Sequence, residues 1–247
     1  MNVLDIEYAA FSACPVEDET FARGFILRSN GGYTKRANSA NLVSDFTGNG
    51  TDLINYSESF FQERGQSSIF RLLSIFEAGN LDQKLADKDY QCIEKTYVMT
   101  QAISPLQESC SSFNFDIRNL NLKHWIDNYY RISNDSNLFK QQHLNMISRI
   151  TDPCFLAAVY DSQGNIAAQG IGVISNGYFG VFNIVTAARF QRQGYGKRLV
   201  QGLFNWAGSV GAHSAYLQVR TENMPAVNLY RKLGYRESYH YWYRVAS

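Results

Sequence analysis

The stretch Phe182 to Gly196, FNIVTAARFQRQGYG, decides the reading of this chain, and Asn223 to Tyr235, NMPAVNLYRKLGY, completes it. Val181, Phe182, Ile184 and Val185 are the β-branched and aromatic residues of a buried strand. That strand runs into a loop holding Gly194 and Gly196, after which Leu199, Val200, Leu203, Phe204, Ala207 and Val210 recur at helical spacing. A strand, a glycine loop and a helix start are the parts from which backbone N–H groups build an anion cradle, and Lys197 and Arg198 add positive charge in the first turn. A glycine pair entering a helix is equally what a plain tight turn looks like, so the neighbouring elements carry weight. A second strand, Ala215 to Arg220, follows. The chain then turns at Thr221 to Asn223 into a short helix with Ala226, Leu229, Tyr230 and Leu233, which Gly234 is placed to end.

On these two motifs residues 153–247 resemble the GCN5-related N-acetyltransferase (GNAT) superfamily. Gln191-Arg192-Gln193-Gly194-Tyr195-Gly196 fits its Q/R-x-x-G-x-G/A acyl-CoA motif. Asn223, Ala226, Leu229-Tyr230 and Leu233-Gly234-Tyr235 fit its N-x-x-A-x-x-L-Y-x-x-x-G-F/Y signature. The stretch is most like protein N-terminal acetyltransferases of the ribosomal-protein type. The resemblance implies an α/β fold with a mixed sheet and acetyl-CoA as acyl donor, without a metal. It implies that the backbone of Ile184, Val185 and Thr186 pairs with the pantetheine arm. It further implies that amides in the segment Gln191, Arg192, Gln193, Gly194, Tyr195, Gly196 and Lys197 hold the pyrophosphate, that Asn223 bonds the cofactor's arm, and that Tyr230 assists the departing thiolate. The other reading of Tyr230 is an ordinary half-buried ring on an amphipathic helix.

One position departs from the pattern. Where such enzymes carry a glutamate as general base, this chain has Gln218, whose neutral amide orients a partner but takes up no ammonium proton. Either another carboxylate acts through water, with Glu222 the nearest in sequence, or the acceptor arrives largely neutral. An α-amine with a pKa of about 7.8 is roughly a quarter to a third neutral near pH 7.4, whereas a lysine amine near 10.4 is neutral about one time in a thousand. Glu222 also reads as a solvated turn residue. The expected activity is acetyl transfer to a primary amine of a small molecule or peptide N-terminus; the alternative is a non-catalytic acyl-CoA-binding or scaffolding protein.

The chain has 247 residues, 45% hydrophobic and 18% charged, with a net charge of +1. That balance suits one large or two small globular domains and gives no support for a nucleic-acid surface. No apolar run approaches the ~20 residues of a membrane span, and the N-terminus MNVLDIEYAA is acidic where a signal peptide is basic, so a cytoplasmic protein is expected. Cys14, Cys92, Cys110 and Cys154 are scattered and read as reduced thiols. His124, His143, His213 and His240 show no metal-ligand spacing and read as core or surface residues. The oligomeric state is left open.

In the N-terminal half, Phe25 to Arg28 and Lys35 to Val43 read as a strand pair around a turn at Ser29-Asn30-Gly31-Gly32. Thr51 to Glu63 reads as a helix, Ser68 to Phe76 as a strand, Leu81 to Lys88 as a short helix and Tyr90 to Ile103 as a long strand. This order is that of a GNAT-like half, and GFILRSNGGYTKRANSAN resembles the N-terminal half of bacterial two-domain GNAT proteins. It lacks the Q/R-x-x-G-x-G/A loop, so residues 1–103 are expected to form a degenerate GNAT-like domain. Residues 104–112 have linker composition, and 113–247 form the catalytic domain, with Phe113 to Arg118 its first strand. Arg28, Lys35, Arg36 and Asn38 read either as contacts for an anionic acceptor or as a solvated strand pair. Trp125, Ile126, Tyr129, Tyr130, Leu138 and Met146 suggest paired helices, packed in the core or bordering the acceptor.

Overall fold

The computed structural model describes residues 2–104, 117–133 and 135–246. Its helices are α1 Val3–Ser12, α2 Gly50–Gln62, α3 Leu81–Asp87, α4 Leu122–Ser133, α5 Lys140–Ser148, α6 Tyr195–Ser209 and α7 Met224–Lys232. Its strands are β1 Asp18–Ala22, β2 Phe25–Ser29, β3 Ser39–Leu42, β4 Ile69–Leu73, β5 Gln91–Ala102, β6 Ile117–Asn119, β7 Cys154–Tyr160, β8 Ile166–Ser175, β9 Tyr178–Thr186, β10 Ser214–Arg220 and β11 Arg236–Val245. The class is mixed α/β, as expected. Residues 105–112 of the expected linker, most of the expected strand Phe113 to Arg118, and Cys110 lie outside the described residues.

Two compact units are each built from separated segments. The first comprises Met1–Ala13, Met99–Gln218 and Pro225–Arg236, and the second Cys14–Val98, Val219–Met224 and Glu237–Ser247. A division in chain order, at 103 and 113, differs from this for two physical reasons. The last strand, β11, lies antiparallel against β4 of the N-terminal half, with Tyr241 opposite Leu73 and Val245 opposite Ile69. Helix α1 belongs to the first unit, where Asp5 Oδ2 accepts a hydrogen bond from Tyr178 Oη at 3.0 Å.

In the first unit the strand order is β10-β9-β8-β7-β6, antiparallel from β6 to β9 and parallel between β9 and β10. Asn176 and Gly177 both have positive φ, 50° and 80°, which makes the β8–β9 connection a two-residue hairpin of matching twist. Trp125 of α4 is fully buried; its Nε1 donates to Gly170 O at 3.2 Å, and its own carbonyl accepts from Gln169 Nε2 at 3.0 Å. These two bonds pin α4 to β8. Leu138, expected on a paired helix, instead sits in a 3-10 turn between α4 and α5 and is 73% exposed.

Helix α6 buries Leu199, Val200, Leu203 and Ala207, and Val210, expected on that face, is its exposed C-cap. Helix α7 closes with Gly234 at φ 99°. The Gly234 N–H donates to Arg231 O at 3.1 Å and the Tyr235 N–H to Tyr230 O at 3.0 Å, so the carbonyls left over at the helix end are satisfied. A Cβ on Gly234 also comes within 2.9 Å of Gln101 Nε2. Gly234→Ala is therefore expected to lower unfolding stability by about 1–2 kcal/mol, the cost of a left-handed alanine, as read by urea denaturation.

The second unit runs β1-β2-β3-β4-β11, with β3 and β4 parallel and the other pairs antiparallel. It shares part of the plan of the first: an antiparallel ladder leads into a parallel pair joined through a helix, α2 here and α6 there, and β11 then adds antiparallel to β4. The strand expected over Lys35 to Val43 is shorter because Lys35–Ala37 form a 3-10 turn, and the one over Ser68 to Phe76 narrows to β4. Arg28 is 2% exposed and engaged internally, its Nε donating to Glu19 at 2.8 Å and its Nη2 to Cys14 O at 2.9 Å. Asn38, also buried, accepts through Oδ1 from the N–H groups of Asn30 and Gly32 at 2.7 and 2.9 Å, fixing the Gly31-Gly32 turn. At these two positions a solvated strand pair is replaced by a packed polar interior.

In the same unit Arg244 grips Asp82 with two hydrogen bonds of 2.9 Å, and Trp242 Nε1 adds a third at 2.9 Å. The Arg244 bonds, more than any other influence, hold the Asp82 carboxyl below its ordinary value of 3.8. A depressed folded value means that the pair adds stability above the unfolded value and loses it as the pH falls through the folded one. Asp82→Asn is expected to cost about 1–2 kcal/mol at pH 7, a magnitude reduced by partial exposure, with the deficit shrinking in chemical denaturation curves as the pH falls below the ordinary 3.8.

Candidate active site

Strands β9 and β10 pair over Tyr178–Val181 and Ser214–Leu217. Beyond Val181 no further β9–β10 pair occurs among the described residues, so one edge of Phe182–Thr186 is left for an extended ligand to add to. The other edge is bulged. Gln169 stands opposite Val185 but Ile171 opposite Phe182, so Asn183 and Ile184 share a single place across from Gly170. Asn183 takes φ 51° there, and the bulge turns the backbone of half-buried Ile184, Val185 and Thr186.

From this strand the chain passes through a 3-10 turn at Ala188–Phe190 into the loop. Arg192 and Gly194 both have positive φ, 61° and 88°, and Gly194 is the N-cap of α6 with no side-chain capping bond. Alternating left- and right-handed residues gather successive N–H groups into a concavity, and the N–H groups of the first turn have no acceptor within the helix. The loop is held from outside: Gln193 Nε2 donates to Arg189 O at 2.8 Å, and Gln191 Nε2 lies 3.5 Å from Thr186 O. Tyr195 packs its ring edge-on to Phe190 at 5.3 Å, while Lys197 is exposed. Three elements meet at Gly196, where an added Cβ lies 3.1 Å from Thr186 Oγ1 of β9 and 3.8 Å from Leu229 Cδ2 of α7. The end of β9, the start of α6 and α7 thus converge as the sequence motifs require.

Tyr230 is 7% exposed on the inner face of α7, with its ring 6.1 Å from that of Tyr235. Burial pushes its phenol up to about 12, so it is protonated throughout the physiological range and is a hydrogen-bond donor. Gln218 is half-buried, one residue past the last β9–β10 pair. Glu222 and Asn223 lie in the turn between β10 and α7, in the segment assigned to the second unit. Glu222 is exposed and sits 3.3 Å from Arg220 Nε, and Asn223 donates its N–H to Arg220 O at 3.0 Å.

Two features escaped the sequence reading. Asn183 Nδ2 lies 2.7 Å from Nε2 of His143, a fully buried histidine of α5 whose ring meets those of Trp125, Tyr129 and Tyr130. The available signal was one amide, Asn183, between Phe182 and Ile184 in an otherwise apolar strand. The second is a glycine loop at a helix start in the N-terminal half. It is Gly48-Asn49-Gly50, the Asn/Gly-rich loop that leads into α2. It is closed by its own chain: Asn49 Oδ1 accepts from Thr51 N at 3.0 Å, and a Cβ on Gly50 is 3.1 Å from Lys84 Cδ and 3.5 Å from Leu81 Cδ1. A Cβ on Gly194, by contrast, meets nothing within 4 Å.

A family model described as "Probable histone acetyltransferase Rv0428c C-terminal" matches residues 2–244, nearly the whole chain. The chain belongs to that family. It is thereby a GNAT-superfamily acyltransferase, and its relatives are named N-acetyltransferases. Over 247 residues it is 28% identical to "Uncharacterized N-acetyltransferase YobR" of Bacillus subtilis, covering 99% of this chain and 98% of that one. A shorter match, 32% identical over 83 residues, is to the [ribosomal protein bS18]-alanine N-acetyltransferase of Haemophilus ducreyi, covering 34% of this chain and 57% of the relative. The solved GCN5-related N-acetyltransferase from Kribbella flavida aligns over 98% of this chain and 95% of its own, with a TM-score of 0.68 at 14% identity, a likeness of fold. Among the described residues no helix is long and apolar enough to cross a membrane, and no three His, Cys, Asp or Glu side chains gather as metal ligands.

Proposed function

We propose that this chain transfers an acetyl group from acetyl-CoA to a primary amine, binding one acetyl-CoA per chain at the loop from Gln191 to Lys197. The observation that carries the reading is the convergence at Gly196 of the bulged end of β9, the uncapped start of α6 and the Tyr230 helix. The residues fit the donor. A Cβ on Gly196 would crowd Thr186 Oγ1 at 3.1 Å, so the glycine keeps the backbone open to close approach, and the N–H groups of Arg192 to Lys197 lie at the uncapped end of a 15-residue helix. Acetyl-CoA, when bound, supplies an acetyl group activated as a thioester.

The chain's own residues do the rest. The open edge of Ile184, Val185 and Thr186 aligns the extended arm, and an amide near Val185 polarises the acyl carbonyl. Asn223 orients the arm from the turn before α7. The Tyr230 phenol donates a hydrogen bond to the leaving sulfur. Gln218 orients the amine without taking its proton, while Glu222, exposed and paired with Arg220, is a weaker candidate for a base. An acceptor that is partly neutral near pH 7.4 matches this set, which favours an α-amine over a lysine side chain. The match to an alanine N-acetyltransferase supports the same choice. A cytoplasmic setting is part of the reading, since Cys92 and Cys154 are unbridged.

Two measurements test it. Native mass spectrometry is expected to show one acetyl-CoA per chain, because the glycine loop at α2 is closed by Asn49, Leu81 and Lys84; two equivalents overturn the assignment. Gln218→Glu is expected to raise the rate with lysine-type amines several-fold more than with α-amines. An equal effect on both removes Gln218 from the acceptor side.

A further inference from the structure

The bulge at Asn183 and Ile184 is held on both of its strands by one buried aromatic cluster. On β8, the residues opposite it grip Trp125: Gln169 Nε2 donates to Trp125 O at 3.0 Å, and Gly170 O accepts from Trp125 Nε1 at 3.2 Å. On β9, the amide of Asn183 hydrogen-bonds Nε2 of His143, with Nδ2 at 2.7 Å. The two anchors touch each other. The His143 ring stands edge-on to Trp125 at 5.9 Å and to Tyr129 at 5.2 Å. Trp125 and His143 are fully buried, and rings packed at interior density resist displacement. Asn183 itself sits at φ 51°, a conformation that strains most side chains and that asparagine tolerates. The strand opposite must be bare at this point, since a Cβ on Gly170 collides with Ile184 Cδ1.

We propose that the Asn183–His143 bond is a latch that sets this bulge, and that the two are positioning residues for acyl transfer. The latch rests on the geometry alone; its consequence for transfer rests on the acetyl-transfer reading above. Both residues act through the backbone of Ile184, Val185 and Thr186. A bulge re-aims the strand that follows it, so the direction of the chain from Val185 onward is set at residue 183. Past the bulge the ladder resumes, with Val185 opposite Gln169 and Thr186 opposite Ala168, and Ala187 N–H donates to Ala167 O at 3.0 Å. Without the latch, the left-handed turn at Asn183 keeps its strain and loses the bond that offsets it, so this end of the ladder loosens. The amide near Val185 then no longer meets the acyl carbonyl in one fixed geometry, and misplacement at a reacting centre lowers rate. Donor affinity is largely spared, because the loop from Gln191 to Lys197 supplies most of the hold.

Asn183→Gly keeps the left-handed backbone and deletes the amide, while His143→Phe keeps a buried ring and deletes its nitrogens. Hydrogen exchange on the full chain, read residue by residue by two-dimensional amide NMR, tests the latch with no cofactor present. Exchange at Ala187 N–H is expected to rise about fivefold or more in each variant, the loss of one hydrogen bond. Ile174 N–H, which donates to Pro153 O at 3.0 Å at the far end of β8, serves as the control and is expected to stay unchanged. The double variant is expected to do no more than the stronger single one, since both remove the same bond. With acetyl-CoA and an amine, kcat is expected to fall about fivefold or more while the KM for acetyl-CoA stays within about threefold. Unchanged exchange at Ala187 in both variants overturns the latch. So does an equal rise at Ile174, which marks a general loss of stability, or additive effects in the double variant. Faster exchange at Ala187 with unchanged kcat overturns the positioning role. A wild type that turns over no amine overturns the acetyl-transfer reading and that role with it, while exchange still decides the latch.

Discussion

Tyr230→Phe is expected to lower turnover roughly 10²-fold while acetyl-CoA affinity stays within about threefold. The two effects separate because the ring and the hydroxyl do different work. The ring packs against Tyr235 at 6.1 Å on the buried face of α7, and phenylalanine keeps that contact. The hydroxyl, held protonated by burial with its pKa pushed up to about 12, is the donor expected to meet the departing sulfur. The same elevation predicts that the pH–rate profile has no descending limb from this phenol below about pH 11. Steady-state kinetics with calorimetric binding checks both. Unchanged turnover in Tyr230→Phe makes the phenol structural.

Gly194→Asp is expected to weaken acetyl-CoA binding at least tenfold, about 1.4 kcal/mol. At φ 88° side chains strain the backbone, and aspartate and asparagine tolerate the left-handed region better than most residues. A Cβ at this position meets nothing within 4 Å. The fold therefore survives, and the carboxylate is left at the place where an anion is expected to bind. Gly194→Asn separates charge from shape: it keeps the size and the left-handed tolerance without the charge, so it is expected to cost clearly less than Gly194→Asp. The gap between the two narrows as salt rises, since screening weakens the repulsion. Equal affinity in wild type and Gly194→Asp, by calorimetry, makes the loop a turn and nothing more.

Local chemistry made the site legible. Gly194, Gly196, Asn223 and Gly234 stand at places where backbone geometry leaves few alternatives, so their spacing placed β9, α6, β10 and α7 nearly as observed. Long-range pairing left no such mark. Tyr239, Tyr241 and Tyr243 alternate along β11 and declare which face is buried, but alternation does not say which strand lies alongside. That β11 pairs with β4 of the other half is settled by topology, and a division in chain order misses it. Helix α1 carries its own sequence signals: Asn2 caps it by accepting from Leu4 N at 3.1 Å, and Ile6, Ala9 and Ala10 are buried at i, i+3 and i+4. Asn176-Gly177 likewise marks the β8–β9 hairpin in plain sequence. The His143–Asn183 contact was beyond reach, since it joins residues forty positions apart across a helix and a strand.

The account stands on acyl transfer to an amine, and the most direct measurement is acceptor-dependent release of free thiol from acetyl-CoA by the full chain. Peptides with free N-terminal α-amines, lysine peptides with blocked N-termini, polyamines, aminoglycosides and amino acids serve as acceptors. The prediction is release that depends on an added amine, faster with α-amines than with blocked lysine peptides, and reduced in Tyr230→Phe. Binding of acetyl-CoA without release on any amine contradicts it, and makes the chain an acyl-CoA-binding protein that has kept the loop and lost the chemistry.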